Sequence, residues 1–135
     1  MLSDSERSML LEQLARTPHQ LAESFTHEGF ARSPACGDEI TVRATVVGDQ
    51  MKEITWQGHG CTVSMAAMAA LASLAPLSVP SFGELRGRYV AAVGGQGELE
   101  GDLEAFIGIG RFPLRAQCAT LGWRALAEAL EAERD

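Results

Sequence analysis

The three cysteines are the residues of this sequence best suited to nucleophilic chemistry or metal binding. Cys36 lies in a predicted loop beside Gly37, Cys61 stands where an apolar stretch begins, and Cys118 lies near the start of the last predicted helix. An odd number of cysteines cannot pair completely within one chain, and a reducing compartment keeps thiols free. The three thiols are therefore buried side chains, nucleophiles or metal ligands.

The positions of the cysteines favour a metal site. Free cysteine is among the most buried residue types, so a single cysteine is more often a small core side chain than a ligand. Here, however, Cys61 and Cys118 are both predicted at helix N-termini, where the helix dipole favours a thiolate. Arg115, one turn before Cys118, is placed to lower the pKa of that thiol and to offset negative charge.

A zinc site built on three thiolates needs a fourth ligand, because zinc prefers four tetrahedral ligands. Asp38 follows Cys36 by two residues, and His59 precedes Cys61 by two residues. Both side chains also have ordinary explanations as polar turn residues. None of the spacings is the CxxC of a zinc finger, and spacing alone does not choose between Asp38 and His59.

The segments around the cysteines predict an α+β fold, a small antiparallel sheet packed against several helices. Alternating apolar residues over 40–46 and 53–57 predict a β-hairpin, and residues 17–36 read as an irregular loop. We expect a single domain over residues 1–135, which is a suitable length for one core. Helices are predicted over about 4–16, 62–75, 81–93, 102–107 and from Pro113 onward, with a charged, solvated tail over 128–135.

Composition excludes several classes of partner. The formal net charge is −7, and Lys52 is the only lysine. Nucleic acid binding needs clustered basic side chains, so it is not expected. The longest apolar run, 65–77, is too short to cross a bilayer, and the N-terminus does not have the pattern of a secretory signal. We therefore expect a cytoplasmic protein without a membrane segment.

Three motifs resemble those of one family. They occur at residues 34–38, 58–64 and 115–123 and read PACGD, GHGCTVS and RAQCATLGW. In this order they resemble the cysteine motifs of SufU, a zinc-dependent sulfurtransferase related to IscU and to the NifU N-terminal domain. The long interval before the third motif, and the absence of a histidine directly before Cys118, are similar to SufU rather than to the IscU scaffold. Gln117 departs from the lysine that is usual in SufU.

The resemblance implies a site and a function. It implies Zn²⁺ as the cofactor, with an iron–sulfur cluster as the alternative, and Cys36 as the acceptor of persulfide sulfur with Arg115 compensating charge. The partner would be a PLP-dependent cysteine desulfurase of the SufS type, followed by downstream iron–sulfur assembly proteins. A cluster scaffold and a non-enzymatic, zinc-stabilised interaction module remain the alternatives. The implied metal ligands are Cys36, Asp38, Cys61 and Cys118.

Overall fold

The computed structural model describes residues 2–132, and it confirms the predicted α+β class. Four strands form one antiparallel sheet in the order β1-β2-β3-β4, and the helices pack on it and on one another. None of the helices within residues 2–132 combines the length and apolar character that crossing a bilayer requires. The elements are α1 (Asp4–Ala15), β1 (His27–Arg32), β2 (Glu39–Val47), β3 (Gln50–His59), α2 (Thr62–Ala72), β4 (Leu77–Ser78), α3 (Val79–Val93), two short 3-10 helices (Gly101–Phe106 and Ile109–Arg111) and α4 (Pro113–Ala132).

In the β2–β3 hairpin, the apolar residues that alternate in the sequence lie on the buried face. Ile40, Val42 and Ala44 on β2 are buried, as are Ile54 and Trp56 on β3, because successive side chains of a strand point to opposite faces. The paired register joins Glu39 to His59 at the open end of the hairpin. This pairing places the loop before β2 beside the end of β3, where Cys61 follows.

Helix α2 is the centre of the core and faces α4 closely. Nine of its eleven residues are buried. Its side chains are apolar on nearly every side, which is typical of a helix that is surrounded by other elements. A Cβ at Gly122 of α4 would lie 2.5 Å from Met68 Sδ, so only glycine permits this approach of the two helices. The close contact brings the first turns of α4 to the start of α2.

Aromatic packing and one hydrogen bond hold α4 in place against α3. Trp123 is fully buried, and its ring stacks on Tyr89 with centroids 4.0 Å apart. The Tyr89 hydroxyl donates a 2.7 Å hydrogen bond to the Ala119 carbonyl, in the turn that also holds Cys118. Both contacts tie the N-terminal half of α4 to α3.

Strand β1 corrects the prediction that residues 17–36 are irregular. Phe30 is half exposed, whereas the inward positions hold the small residues Gly29 and Ala31. A Cβ at Gly29 would collide with the carbonyl oxygen of Ala125 on α4. The apolar alternation that marks a strand is therefore missing, because close contact with α4 requires small residues on the inner face.

Two helix boundaries also differ from the prediction. Helix α3 begins at Val79 with Ser78 as its N-cap, not at Ser81, because Pro80 occupies the first turn, where proline is tolerated. Residues 128–132 continue α4: Glu128 and Glu131 are exposed, as the predicted solvated tail requires, but Ala129 and Leu130 are buried, so the tail is only partly solvated. The rest of that predicted tail, 133–135, lies outside the described residues.

Candidate metal centre

Two separate chain segments bring metal-binding side chains together. Cys36 and Asp38 come from the loop between β1 and β2, and Cys118 comes from the second turn of α4. One sulfur or oxygen atom from each of these residues lies within 4.8 Å of the others, and the two sulfur atoms are 3.9 Å apart. The cluster depends on tertiary structure, because more than 80 residues separate Cys36 from Cys118.

The loop that carries Cys36 is closed by its own backbone. The Gly37 amide donates to the Ser33 carbonyl at 2.7 Å, and the Ser33 amide donates to the Asp38 carbonyl at 2.9 Å. Gly37 has φ +74°, a left-handed conformation that glycine adopts without a steric penalty. This turn leaves Cys36 exposed while the Asp38 side chain points inward and is only 5% exposed.

Cys61 borders the cluster from the start of α2. It is the N-cap of that helix, with the Ser64 amide donating to its sulfur at 3.5 Å, as predicted for a cysteine at a helix N-terminus. Its own amide donates to Asp38 Oδ2 at 3.3 Å. The Cys61 sulfur is not among the atoms that lie within 4.8 Å of one another, and its thiol is exposed.

Asp38 is held ionised at the centre of the site. Burial opposes the charged form, but hydrogen bonds from the Ser64 hydroxyl and from Cys61 outweigh it and lower the pKa of Asp38. The Ser64 hydroxyl, fully buried, donates to Oδ2 at 2.6 Å. The Cys61 amide, the Ser64 hydroxyl and the Cys118 thiol all donate to Oδ2, so Oδ1 is the oxygen more available to a cation.

The donor set suits a divalent cation. Burial, followed by the neighbouring Cys61 thiol, raises the pKa of Cys118 to about 12 in the protein without a metal ion. A cation beside the sulfur would favour the thiolate, because metal binding displaces the thiol proton. Thiolates together with one carboxylate match the ligand chemistry of Zn²⁺.

Gly60 provides the space that Asp38 needs. A Cβ at this position would lie 2.6 Å from Asp38 Cγ and 2.9 Å from Oδ2. Asp38 is buried, so its carboxylate has little room to retreat. The glycine before Cys61 in the second motif therefore has a steric reason to be there.

We expect Gly60→Ala to weaken metal binding by at least about tenfold, because it displaces the carboxylate. Competition with a chromogenic zinc chelator measures this affinity. Gly83→Ala is the matched control, since a Cβ there meets nothing within 4 Å and α3 should gain stability by about 1 kcal/mol. Unchanged zinc affinity in Gly60→Ala would show that Asp38 does not need this space.

His59 and Arg115 make contacts with residues other than those of the cluster. The His59 imidazole is 75% exposed and lies beside Glu39, with 3.5 Å between Nε2 and Oε2. Arg115 is exposed, and its guanidinium carbon lies 5.5 Å from the centroid of the Phe112 ring. Neither side chain makes a hydrogen bond or ion pair to a cysteine or to Asp38 within the described part of the chain.

Two serines contribute to the site beside the predicted ligands. Ser64 ends the second motif and is predicted from the sequence as a helix-start residue, and the fold places its hydroxyl on Asp38. Ser33 is 2% exposed, and its hydroxyl accepts a hydrogen bond from the Cys36 thiol at 3.2 Å. Each serine lies three residues from a cysteine, a spacing that carries a signal only once the cysteine is known to belong to a site.

Comparisons with known sequences find a family and relatives that this chain resembles. The family described as the NifU-like N-terminal domain matches residues 16–77. The zinc-dependent sulfurtransferase SufU of Bacillus subtilis (strain 168) is 32% identical over 111 residues, which cover 75% of this chain and 72% of that protein. The iron–sulfur cluster assembly scaffold protein IscU of Streptococcus pyogenes serotype M1 is 32% identical over 108 residues, covering 73% and 65% of the two chains.

Solved structures share the fold. A crystal structure of a hypothetical protein superposes with a TM-score of 0.86 at 25% identity, covering 96% of this chain and 99% of the other. FiSufU from Fervidobacterium islandicum AW-1 gives a TM-score of 0.82 at 21% identity, with 96% of each chain covered. A NifU-like N-terminal protein from Brucella abortus gives 0.80 at 17% identity, with 90% of each chain covered.

Proposed function

Because this chain belongs to the SufU and IscU family of iron–sulfur cluster assembly proteins, we propose that it accepts persulfide sulfur from a cysteine desulfurase on Cys36. One observation carries the proposal. The exposed Cys36 thiol lies within 4.8 Å of the buried Asp38 and Cys118. A sulfur that a partner can reach therefore lies beside two metal-binding side chains that are shielded from solvent. The name of the Bacillus subtilis relative, a zinc-dependent sulfurtransferase, supports this finer function.

Zn²⁺ is the proposed resident ion, held by Cys36, Asp38, Cys61 and Cys118. When bound, it supplies the positive charge that keeps the thiols deprotonated at neutral pH. Asp38 and Cys118 are the buried members of this set, one at the end of the β1–β2 loop and one on α4. Cys36 is exposed on a loop, where a partner can reach it, whereas Cys61 is the N-cap of α2.

The proposed transfer is a thiolate–persulfide exchange. The Cys36 sulfur attacks the outer sulfur of the desulfurase persulfide, and a new sulfur–sulfur bond forms as the old one breaks. The electron pair of the broken bond stays on the desulfurase cysteine, which leaves as a thiolate. No external oxidant or reductant is needed, because the sulfur moves in its existing oxidation state.

Arg115 is assigned a supporting electrostatic role. Its exposed guanidinium lies over Phe112 at the surface start of α4, one turn before Cys118. A persulfide and its thiolate products are negative, so a cation at this edge would lower the cost of bringing them together. The partner is a PLP-dependent cysteine desulfurase, and downstream iron–sulfur assembly proteins receive the sulfur.

Two measurements test the proposal together. We expect the purified chain to raise the turnover of a SufS-type desulfurase and to carry about one zinc and no iron per chain when purified without oxygen. Removing the metal should abolish the stimulation, and adding Zn²⁺ should restore it. No stimulation would instead favour a zinc-stabilised interaction module.

The scaffold function is the second candidate, supported by the 32% identity to the Streptococcus IscU. A scaffold would use the same cysteines to assemble a cluster, so the metal content separates the two functions. Stoichiometric iron and acid-labile sulfide after anaerobic purification would overturn the assignment of zinc-dependent transfer.

A further inference from the structure

We infer that Ser33 is a positioning residue for the acceptor sulfur and that Gln117 in turn orients the Ser33 hydroxyl. This inference rests on the proposed function, since it concerns the sulfur that Cys36 uses. It extends that function by naming two side chains that neither ligate the proposed metal nor receive sulfur.

The contacts form a chain from α4 to the loop. The Cys36 thiol donates to Ser33 Oγ at 3.2 Å, and the Ser33 hydroxyl donates to Gln117 Oε1 at 3.4 Å. Ser33 and Gln117 are 84 residues apart, so the contact joins the loop to the helix that carries Cys118. The Cys36 sulfur also lies 3.9 Å from the Cys118 sulfur, and a hydrogen bond from Cys36 contributes to the lowered pKa of Asp38.

The burial of Ser33 restricts the position of its hydroxyl. Ser33 is 2% exposed and its backbone closes the loop through hydrogen bonds to Gly37 and Asp38. A buried hydroxyl keeps its partners because leaving them costs about 1–3 kcal/mol. The exposed Cys36 side chain, by contrast, would be free to change rotamer if the Ser33 hydroxyl were removed.

Gln117 is suited to this task because a carboxamide both accepts and donates hydrogen bonds. The Ser33 hydroxyl can donate to Gln117, or it can turn towards the Cys36 sulfur while the amide nitrogen of Gln117 donates to Ser33. A lysine at position 117 could only donate. The glutamine therefore keeps the contact in both arrangements and adds no charge beside the site.

Sulfur exchange requires this kind of positioning, because the attacking sulfur must lie in line with the bond that breaks. A misplacement of about 1 Å can reduce a rate by about 100-fold. We expect Ser33→Ala to lower the kcat of sulfur transfer about tenfold while KM for the desulfurase stays within about twofold. Loss of orientation alone should not affect docking.

The experiment uses a double-mutant cycle of Ser33→Ala and Gln117→Met in the full chain. Because Gln117 is exposed, its variant should fold and should lower kcat by a smaller factor. If Gln117 acts through Ser33, the double variant should be no slower than Ser33→Ala alone. Ser73→Ala, at the C-cap of α2, and Gln13→Met, on α1, are controls of the same substitution types away from the site, and zinc content should be unchanged in every variant.

Three results would overturn the inference: a wild-type kcat in Ser33→Ala, independent and multiplicative losses in the cycle, or zinc loss in parallel with activity. The proposed function is tested separately by Cys36→Ser. If that variant still accepts sulfur, the acceptor assignment fails. If it is inactive while Ser33→Ala is fully active, only the positioning role fails.

Discussion

Replacing Cys36 by serine is expected to lower sulfur uptake from a desulfurase by at least about 1,000-fold while the fold survives. The reason for the loss is chemical, since a serine hydroxyl stays protonated at neutral pH and is a poor nucleophile towards a persulfide. The fold should survive because Cys36 is exposed and the loop around it is closed by backbone hydrogen bonds of Ser33, Gly37 and Asp38.

Mass spectrometry of the chain after incubation with desulfurase and cysteine measures this directly, by locating the added sulfur. Circular dichroism and the melting temperature check the fold. Ala35→Ser is the matched control, because it adds a hydroxyl to the same exposed loop and keeps the thiol. Sulfur uptake by Cys36→Ser at the wild-type rate, or sulfur found on Cys61 of the wild-type chain, would contradict the assignment.

The sequence predicted the hairpin and the helix starts that carry two of the cysteines. Cys61 is the N-cap of α2 and Cys118 lies in the second turn of α4, as local signals indicated. These signals are local because capping and periodicity depend on neighbours within a few residues. The resemblance to the SufU motifs then supplied the family, which the relatives confirm.

What could not be predicted depends on contacts between distant elements. Strand β1 was missed because its inner positions are Gly29 and Ala31, chosen for close approach to α4 and not for apolar alternation. The roles of Ser33 and Ser64 depend on which side chains the fold brings to them. Spacing left Asp38 and His59 equal, and the resemblance to the SufU motifs implied Asp38. The fold shows Asp38 directed into the cluster and His59 beside Glu39.

The choice between those two residues leads to the second large effect, the loss of zinc from Asp38→Ala. We expect the zinc affinity to fall by more than about 100-fold, because the change removes a proposed ligand and not just a supporting contact. The metal-free variant should also lose about 1–3 kcal/mol of unfolding free energy, since the buried Ser64 hydroxyl loses its acceptor. Chelator competition and urea unfolding measure the two quantities.

Asp38→Asn separates ligation from packing, because the amide keeps a carbonyl oxygen for the Ser64 hydroxyl but has no charge to offer a cation. It should retain more of the unfolding free energy than Asp38→Ala and still bind zinc weakly. Asp49→Ala, in the exposed β2–β3 turn, controls for the loss of one negative charge. Full zinc occupancy in Asp38→Ala together with zinc loss in His59→Ala would make His59 the fourth ligand, so that the carboxylate would serve only to bind the N-terminus of α2.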